Sequence, residues 1–246
     1  MFKYQLIIEY AGTTFRGWQI QKKGKTIQGL IQKKISKLLN EKINLFGSGR
    51  TDTGVHAVEQ SAHFVCKNKI SRLEKFTKSL NHFLNDDGVS IIKIKKRNKE
   101  FHARYSAKMR IYKYVIINRI GSPVLDKDRG WHIMKKLDVE IMKKGAKKLI
   151  GTKDFSTFRA SSCRAKSPIK TMKLVKIKKQ KNKIEIEFRS QSFLQKQVRS
   201  MVGCLKYLGE KKWSLKKFEN VMRSKKRILC APPAPPEGLY LIRIIY

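Results

Sequence analysis

Acidic residues are scarce in this chain. Eighteen aspartates and glutamates stand against 57 lysines and arginines in 246 residues, a formal net charge of +39. Such an excess goes beyond what solubility needs, and a compact chain that carries it repels itself unless a polyanion accompanies it. Lysine-rich composition bias inflates the figure, yet the charge is spread over the whole length, which makes nucleic acid the leading partner class. A basic membrane-surface protein is the rival; no long amphipathic helix sets a purely Lys/Arg face against Trp and Phe, which tells against it. Cysteine is sparse too. The four, Cys66, Cys163, Cys204 and Cys230, form no Cys-x-x-Cys pair, so neither a zinc site nor a disulfide framework is indicated. His56 and His63 have no ligand cluster around them and read as a solvated loop histidine and a strand histidine, with no metal expected. No apolar run approaches the roughly 20 residues that span a bilayer. The first ten residues include Glu9 and lack the apolar core and cleavage site of a signal peptide. A cytoplasmic protein without a membrane partner is expected.

What is present is enough for a real core, at 41% hydrophobic residues. Tyr4 to Tyr10 reads as a strand, and Thr26 as the N-cap of a helix with Ile27, Leu30, Ile31, Ile35, Leu38 and Leu39 on one face. Strands are expected near 43–48 and 61–66, a helix over 72–84 ended by Asn85-Asp86-Asp87-Gly88, and a strand over 89–95. The second half repeats the order, with a strand over 110–118, a helix over 139–149, and a hairpin of 174–177 with 184–189. A helix with Leu194, Val198, Met201, Val202, Leu205 and Leu208 on one stripe follows, then a shorter one around 213–222 and a last strand over 239–246. The expected fold class is therefore α+β. Two similar βαββαβ lobes, 1–105 and 106–246, have mainly antiparallel sheets backed by helices and a cleft between them. The proline-rich segment Ala231 to Pro236 reads as a stiff spacer into the last strand.

The most informative stretch is Gly47-Ser48-Gly49-Arg50-Thr51-Asp52-Thr53-Gly54-Val55-His56-Ala57, which sets a carboxylate beside a guanidinium on a loop pinned between two strands. Glycines at 47, 49 and 54 permit positive φ and close backbone approach. Taken alone, Asp52 reads as an Asx-turn bonded to its own backbone two residues on.

Gly49 to Ala57 resembles the signature of the TruA family of tRNA pseudouridine synthases, and further motifs of that family follow in order. They are Tyr10 to Gln19, Phe101 to Ala107 leading into Arg110 to Tyr114, Asp154 to Arg159, Phe193 with Val198 to Gly203, and Glu237 to Leu241. One departure is Ala11, where the family usually has an acid. The resemblance implies conversion of uridine to pseudouridine on the 3′ side of the anticodon stem-loop of tRNA, by a homodimer, with no metal or organic cofactor. It makes Asp52 the catalytic carboxylate. The residues leave open whether Asp52 attacks the sugar, adds to the base or removes a sugar proton.

By the same resemblance Arg50 and Arg199 supply counter-charge, and Gly203, one turn after Arg199, leaves room for close approach. Tyr112 would stack on a uracil extruded from its stem, although its strand alone reads as core. Leu241 is either a pocket wall or a core leucine, Phe101 and Tyr105 either stacking platforms or packing, and Trp18 packing. Two rivals remain. A non-catalytic RNA-binding protein accounts for the charge but not for Arg-Thr-Asp-Thr-Gly; a methyltransferase or deaminase is opposed by the missing Gly-x-Gly-x-x-Gly loop and His/Cys zinc set.

Overall fold

The computed structural model describes residues 1–246, which fold as two compact units, Met1–Lys108 with Tyr240–Tyr246, and Met109–Leu239. The first unit contains β1 (Phe2–Tyr10), α1 (Ile27–Leu39), β2 (Phe46–Gly47), β3 (His56–Cys66), α2 (Leu73–His82) and β4 (Val89–Arg97), in the βαββαβ order. In it β1 lies between β4 and β3 and is antiparallel to both. Along β1, Tyr4, Leu6, Ile8 and Tyr10 are buried, the period-2 pattern that made the strand readable. α1 starts where Thr26 accepts a hydrogen bond from the Gly29 N–H and stops at Asn40, whose φ of 48° is the left-handed conformation that ends helices. α2 is fastened to β4 by Asn81, whose side chain donates to the Ile91 carbonyl at 3.0 Å and accepts from the Ile91 N–H at 2.7 Å.

The strand expected over 43–48 shrinks to Phe46–Gly47, and the reason lies in α1. Ser36 Oγ accepts from the Ile43 N–H, Gln32 Oε1 from the Leu45 N–H, and Gln28 Nε2 donates to the Leu45 carbonyl. Side chains of the helix thus satisfy backbone groups that a ladder would otherwise have served, while Ile43 and Leu45 are buried as apolar residues should be. The final strand, β10 (Leu239–Ile245), was expected in the second lobe. Instead Tyr240 and Leu241 run parallel to His56 and Ala57 of β3, and the residues from Tyr240 onward belong to the first unit.

The second unit contains β5 (Met109–Asn118), β6 (Trp131–Ile133), α3 (Val139–Lys148), β7 (Gly151–Asp154), β8 (Ile169–Gln180), β9 (Lys183–Ser190), α4 (Gln197–Gly209) and α5 (Leu215–Arg223). β9 lies antiparallel between β5 and β8, and β7 continues antiparallel beyond β8. Ile184, Ile186 and Phe188 point inward, while Glu185 and Glu187 face Lys178 and Lys176 of β8, so the acids offset the cationic strand beside them. α3 is N-capped by Asp138, which accepts from the N–H groups of Glu140 and Ile141, and α5 by Ser214. The second unit does not repeat the expected βαββαβ order: β6 and β7, too short to show an alternation, are added, α4 and α5 follow β9, and the closing strand from Tyr240 onward belongs to the first unit. No helix is long and apolar enough to cross a membrane. All four cysteines are thiols.

His63 is a buried strand histidine whose Nδ1 accepts from the Ala103 N–H at 3.2 Å. Burial first, then the charges of His102 and Lys3, lower its pKa from 6.5 to about 4, against a hydrogen bond with the Phe46 backbone. The unfolded chain therefore takes up this proton at a higher pH than the folded one. The associated stability is intact above pH 6.5 and is lost as the pH falls toward 4, by about 3 kcal/mol at most. His63→Gln, which keeps an acceptor, should reduce the drop in urea-unfolding free energy between pH 7 and pH 4 by about that amount. An unchanged drop would contradict the assignment.

Candidate active site

Asp52 is placed by a frame of bonds to the residues around it. Thr51 and Val55 on either side are buried, and Asp52 itself is partly exposed, so the anchors point inward and the carboxylate-bearing residue reaches the surface. The Tyr10 hydroxyl and Thr51 Oγ1 are 2.7 Å apart, the Trp18 N–H donates to the Thr51 carbonyl at 3.0 Å, and the Val55 N–H donates to the Asp52 carbonyl at 3.1 Å. Gln60 Nε2 donates to the Gly49 carbonyl at 2.9 Å, and the Ser48 N–H to the Ser61 carbonyl at 2.8 Å. The Tyr10-to-Gln19 motif is thus the other half of the loop's frame. A Cβ on Gly12 would overlap the Val55 carbonyl, 2.6 Å from its carbon, and one on Gly17, whose φ is 80°, would lie 2.6 Å from the Thr51 oxygen. Of Gly47, Gly49 and Gly54, only Gly54 has a positive φ, at 78°. Gly47 serves a different purpose, admitting the Trp18 indole, which is buried packing as expected.

His56 departs from its expected place in solvent. It is buried at the start of β3, where Nδ1 accepts from the Gly12 N–H at 3.1 Å and the ring stacks on Tyr240 with centroids 4.8 Å apart. Ala11, at the family's acidic position, donates its N–H to the Gly88 carbonyl at 3.0 Å. Arg50 is exposed, with its Nε donating to Gln19 Oε1 at 3.1 Å. Leu241 is fully buried and sits opposite Ala57, at the end of the Asp52 loop. Phe101 is a packing residue, buried against Tyr246 with centroids 5.0 Å apart. Tyr10, Gln60 and His56 were not singled out as loop supports; the one available signal was a glutamine at an inward position of an apolar strand.

The second unit holds Tyr112 and Arg199. Tyr112 lies on β5 opposite Phe188, mostly buried, with the Phe193 ring edge-on at 5.0 Å. Arg199, in the first turn of α4, is clasped by the proline-rich segment. Its Nε donates to the Ala234 carbonyl at 2.7 Å, and its own carbonyl accepts from the Ala234 N–H at 2.9 Å. The close approach at Gly203 is by this segment, since a Cβ there would overlap the Pro232 carbonyl. The Tyr114 hydroxyl donates to the Pro235 carbonyl at 2.7 Å, and burial, followed by the charge of Glu237, raises the phenol's pKa above its usual value, which keeps the proton in that bond. The segment is therefore a strap that fixes Arg199, not merely a spacer. No group of three or more His, Cys, Asp or Glu side chains is placed to hold a metal ion.

Residues 6–106 and 146–246 each match the family described as tRNA pseudouridine synthase. This chain belongs to that family. The synthase is 70% identical to the tRNA pseudouridine synthase A of Pelagibacter ubique, over all of both chains. It is 43% identical to the enzyme of that name from Thermoanaerobacter sp. strain X514 and 39% identical to that of Parvibaculum lavamentivorans, again over the full length of each. The family is one of isomerases, and the expected α+β class with mainly antiparallel sheets agrees with the structure of the synthase. The first matched stretch contains Arg50 and Asp52, the second Arg199 and Leu241; Tyr112 falls between the two.

Proposed function

We propose that this synthase isomerises uridine to pseudouridine on the 3′ side of the tRNA anticodon stem-loop, with Asp52 as its catalytic carboxylate. The reaction breaks the bond from uracil N1 to ribose C1′, joins C5 to C1′, releases the proton at C5 and returns one at N1. Its atoms and electrons balance within the nucleoside, so the proposed chemistry needs no metal or organic cofactor. It does need a carboxylate beside sugar and base and a surface that holds the detached uracil. The observation that carries the reading is the Asp52 frame: several buried bonds and two glycine-dependent backbone approaches hold one partly exposed acid in a chain of net charge +39.

In this proposal Tyr112 stacks on the extruded base, Arg50 and Arg199 balance the carboxylate and neighbouring phosphates, and Leu241 backs the pocket from beside Ala57. The working particle is a cytoplasmic homodimer, which offers a long rigid tRNA a wider platform than one chain does. The test is to incubate the protein with an unmodified tRNA transcript and map pseudouridine along it. It is expected on the 3′ side of the anticodon stem-loop; product confined to another arm of the tRNA would overturn the positional assignment.

A further inference from the structure

The first unit carries an exposed ring cluster that the proposed chemistry does not use. Tyr105 is 75% exposed and Phe46 47% exposed, and His102 connects them. The Tyr105 ring lies on His102 with centroids 4.4 Å apart, and the Phe46 ring is 6.1 Å from His102 and stacks on His63 at 5.2 Å. The backbone beneath Tyr105 is closed by several bonds. His102 Nδ1 accepts from the Arg104 N–H at 3.1 Å and the Tyr105 N–H at 3.4 Å, the Ser106 N–H donates to the His102 carbonyl at 2.9 Å, and Ser106 Oγ accepts from the His102 N–H at 3.0 Å. From below, the Tyr246 hydroxyl donates to the Ala103 carbonyl at 2.8 Å. The rigid turn thus presents the Tyr105 ring to solvent, where packing does not explain it.

Charge identifies what the platform fits. The Arg104 guanidinium lies 5.6 Å from the Tyr105 ring centre, and Lys99, Arg104 and Lys108 share segment 98–108 with a single acid, Glu100. A second copy of this chain would bring like charge to this face. An unpaired nucleotide brings a flat base for the ring and a phosphate for the cations.

We propose that Tyr105, with His102 and Phe46, is a stacking platform for an unpaired base of the tRNA substrate, and that Arg104 engages an adjoining phosphate. This rests on tRNA being the substrate. The platform lies outside the Asp52 loop and acts on binding, not on the chemical step.

The experiment compares wild type, Tyr105→Ala, Tyr105→Phe and Arg104→Gln, measuring tRNA affinity over a range of salt and steady-state tritium release from tRNA carrying 5-tritiated uridine. Tyr105→Ala should weaken tRNA binding about tenfold, with the loss appearing in KM rather than kcat and with an unchanged salt slope, because the ring bears no charge. Tyr105→Phe should restore affinity. Arg104→Gln should lower the salt slope by about one phosphate contact. Wild-type affinity in Tyr105→Ala, a fall in kcat alone, or loss of a two-chain particle by light scattering would each overturn the platform. Absence of tritium release from the wild type would instead overturn the reading on which it rests.

Discussion

Asp52→Asn is expected to bind tRNA at least as tightly as the parent protein and to release no tritium above background from 5-tritiated uridine in tRNA. The substitution keeps side-chain size and removes charge and basicity, so a carboxylate that acts on sugar or base cannot be replaced by it. The expected loss is at least ~10³-fold in turnover. Binding should be retained because the acid contributes repulsion toward phosphates, and the loop should persist because its anchors are Thr51, Val55, Gln60 and the Tyr10–Trp18 segment. A variant that turns over at a sizeable fraction of the parent rate would return Asp52 to the role of a turn residue.

The second large effect is expected at Gly12, which does no chemistry. Gly12→Ala puts a Cβ into the Val55 carbonyl, 2.6 Å from the carbonyl carbon and 2.9 Å from the backbone nitrogen of Val55, and a backbone neighbour cannot rotate aside as a side chain can. The Asp52 loop must move as a body, and the bond from the Gly12 N–H to His56 moves with it. Overpacking of this kind costs about 2–3 kcal/mol, or roughly 5–10 °C in Tm for a chain of this size. Displacement of the carboxylate by about 1 Å lowers kcat by about 10²-fold. Gly121→Ala is the control, since nothing lies within 4 Å of its added Cβ. Equal Tm and kcat for the two alanine variants would show that the contact between the Gly12 turn and the loop does not position Asp52.

Several features were legible because they are local. Thr26 caps α1 at the expected residue, the Ile184-Ile186-Phe188 alternation marks β9, and the stripe through Val198, Met201 and Leu205 marks α4. Other features depended on partners far along the chain. Ile43 and Leu45 read as strand, yet their backbone groups bond to Gln28, Gln32 and Ser36 of α1. His56 read as solvated because it adjoins a glycine-rich loop, yet the Gly12 turn and the Tyr240 ring bury it.

By itself the sequence determined the α+β class, the order of elements in the first unit, the polyanionic partner class and the Arg-Thr-Asp-Thr-Gly loop, because these follow from composition, short-period patterning and the ordered family motifs. Tertiary structure alone decided that the residues from Tyr240 onward join the first unit, that Gly12 and Gly17 exist for the Asp52 loop, and that the Ala231–Pro236 strap holds Arg199. It also separated Phe101, which is buried, from Tyr105, which stands in solvent four residues later. The physical reason is common to all of these. Burial, backbone approach and parallel pairing are relations between distant segments, and a residue's neighbours in sequence do not specify which distant backbone will supply its hydrogen-bond partner or cover its side chain.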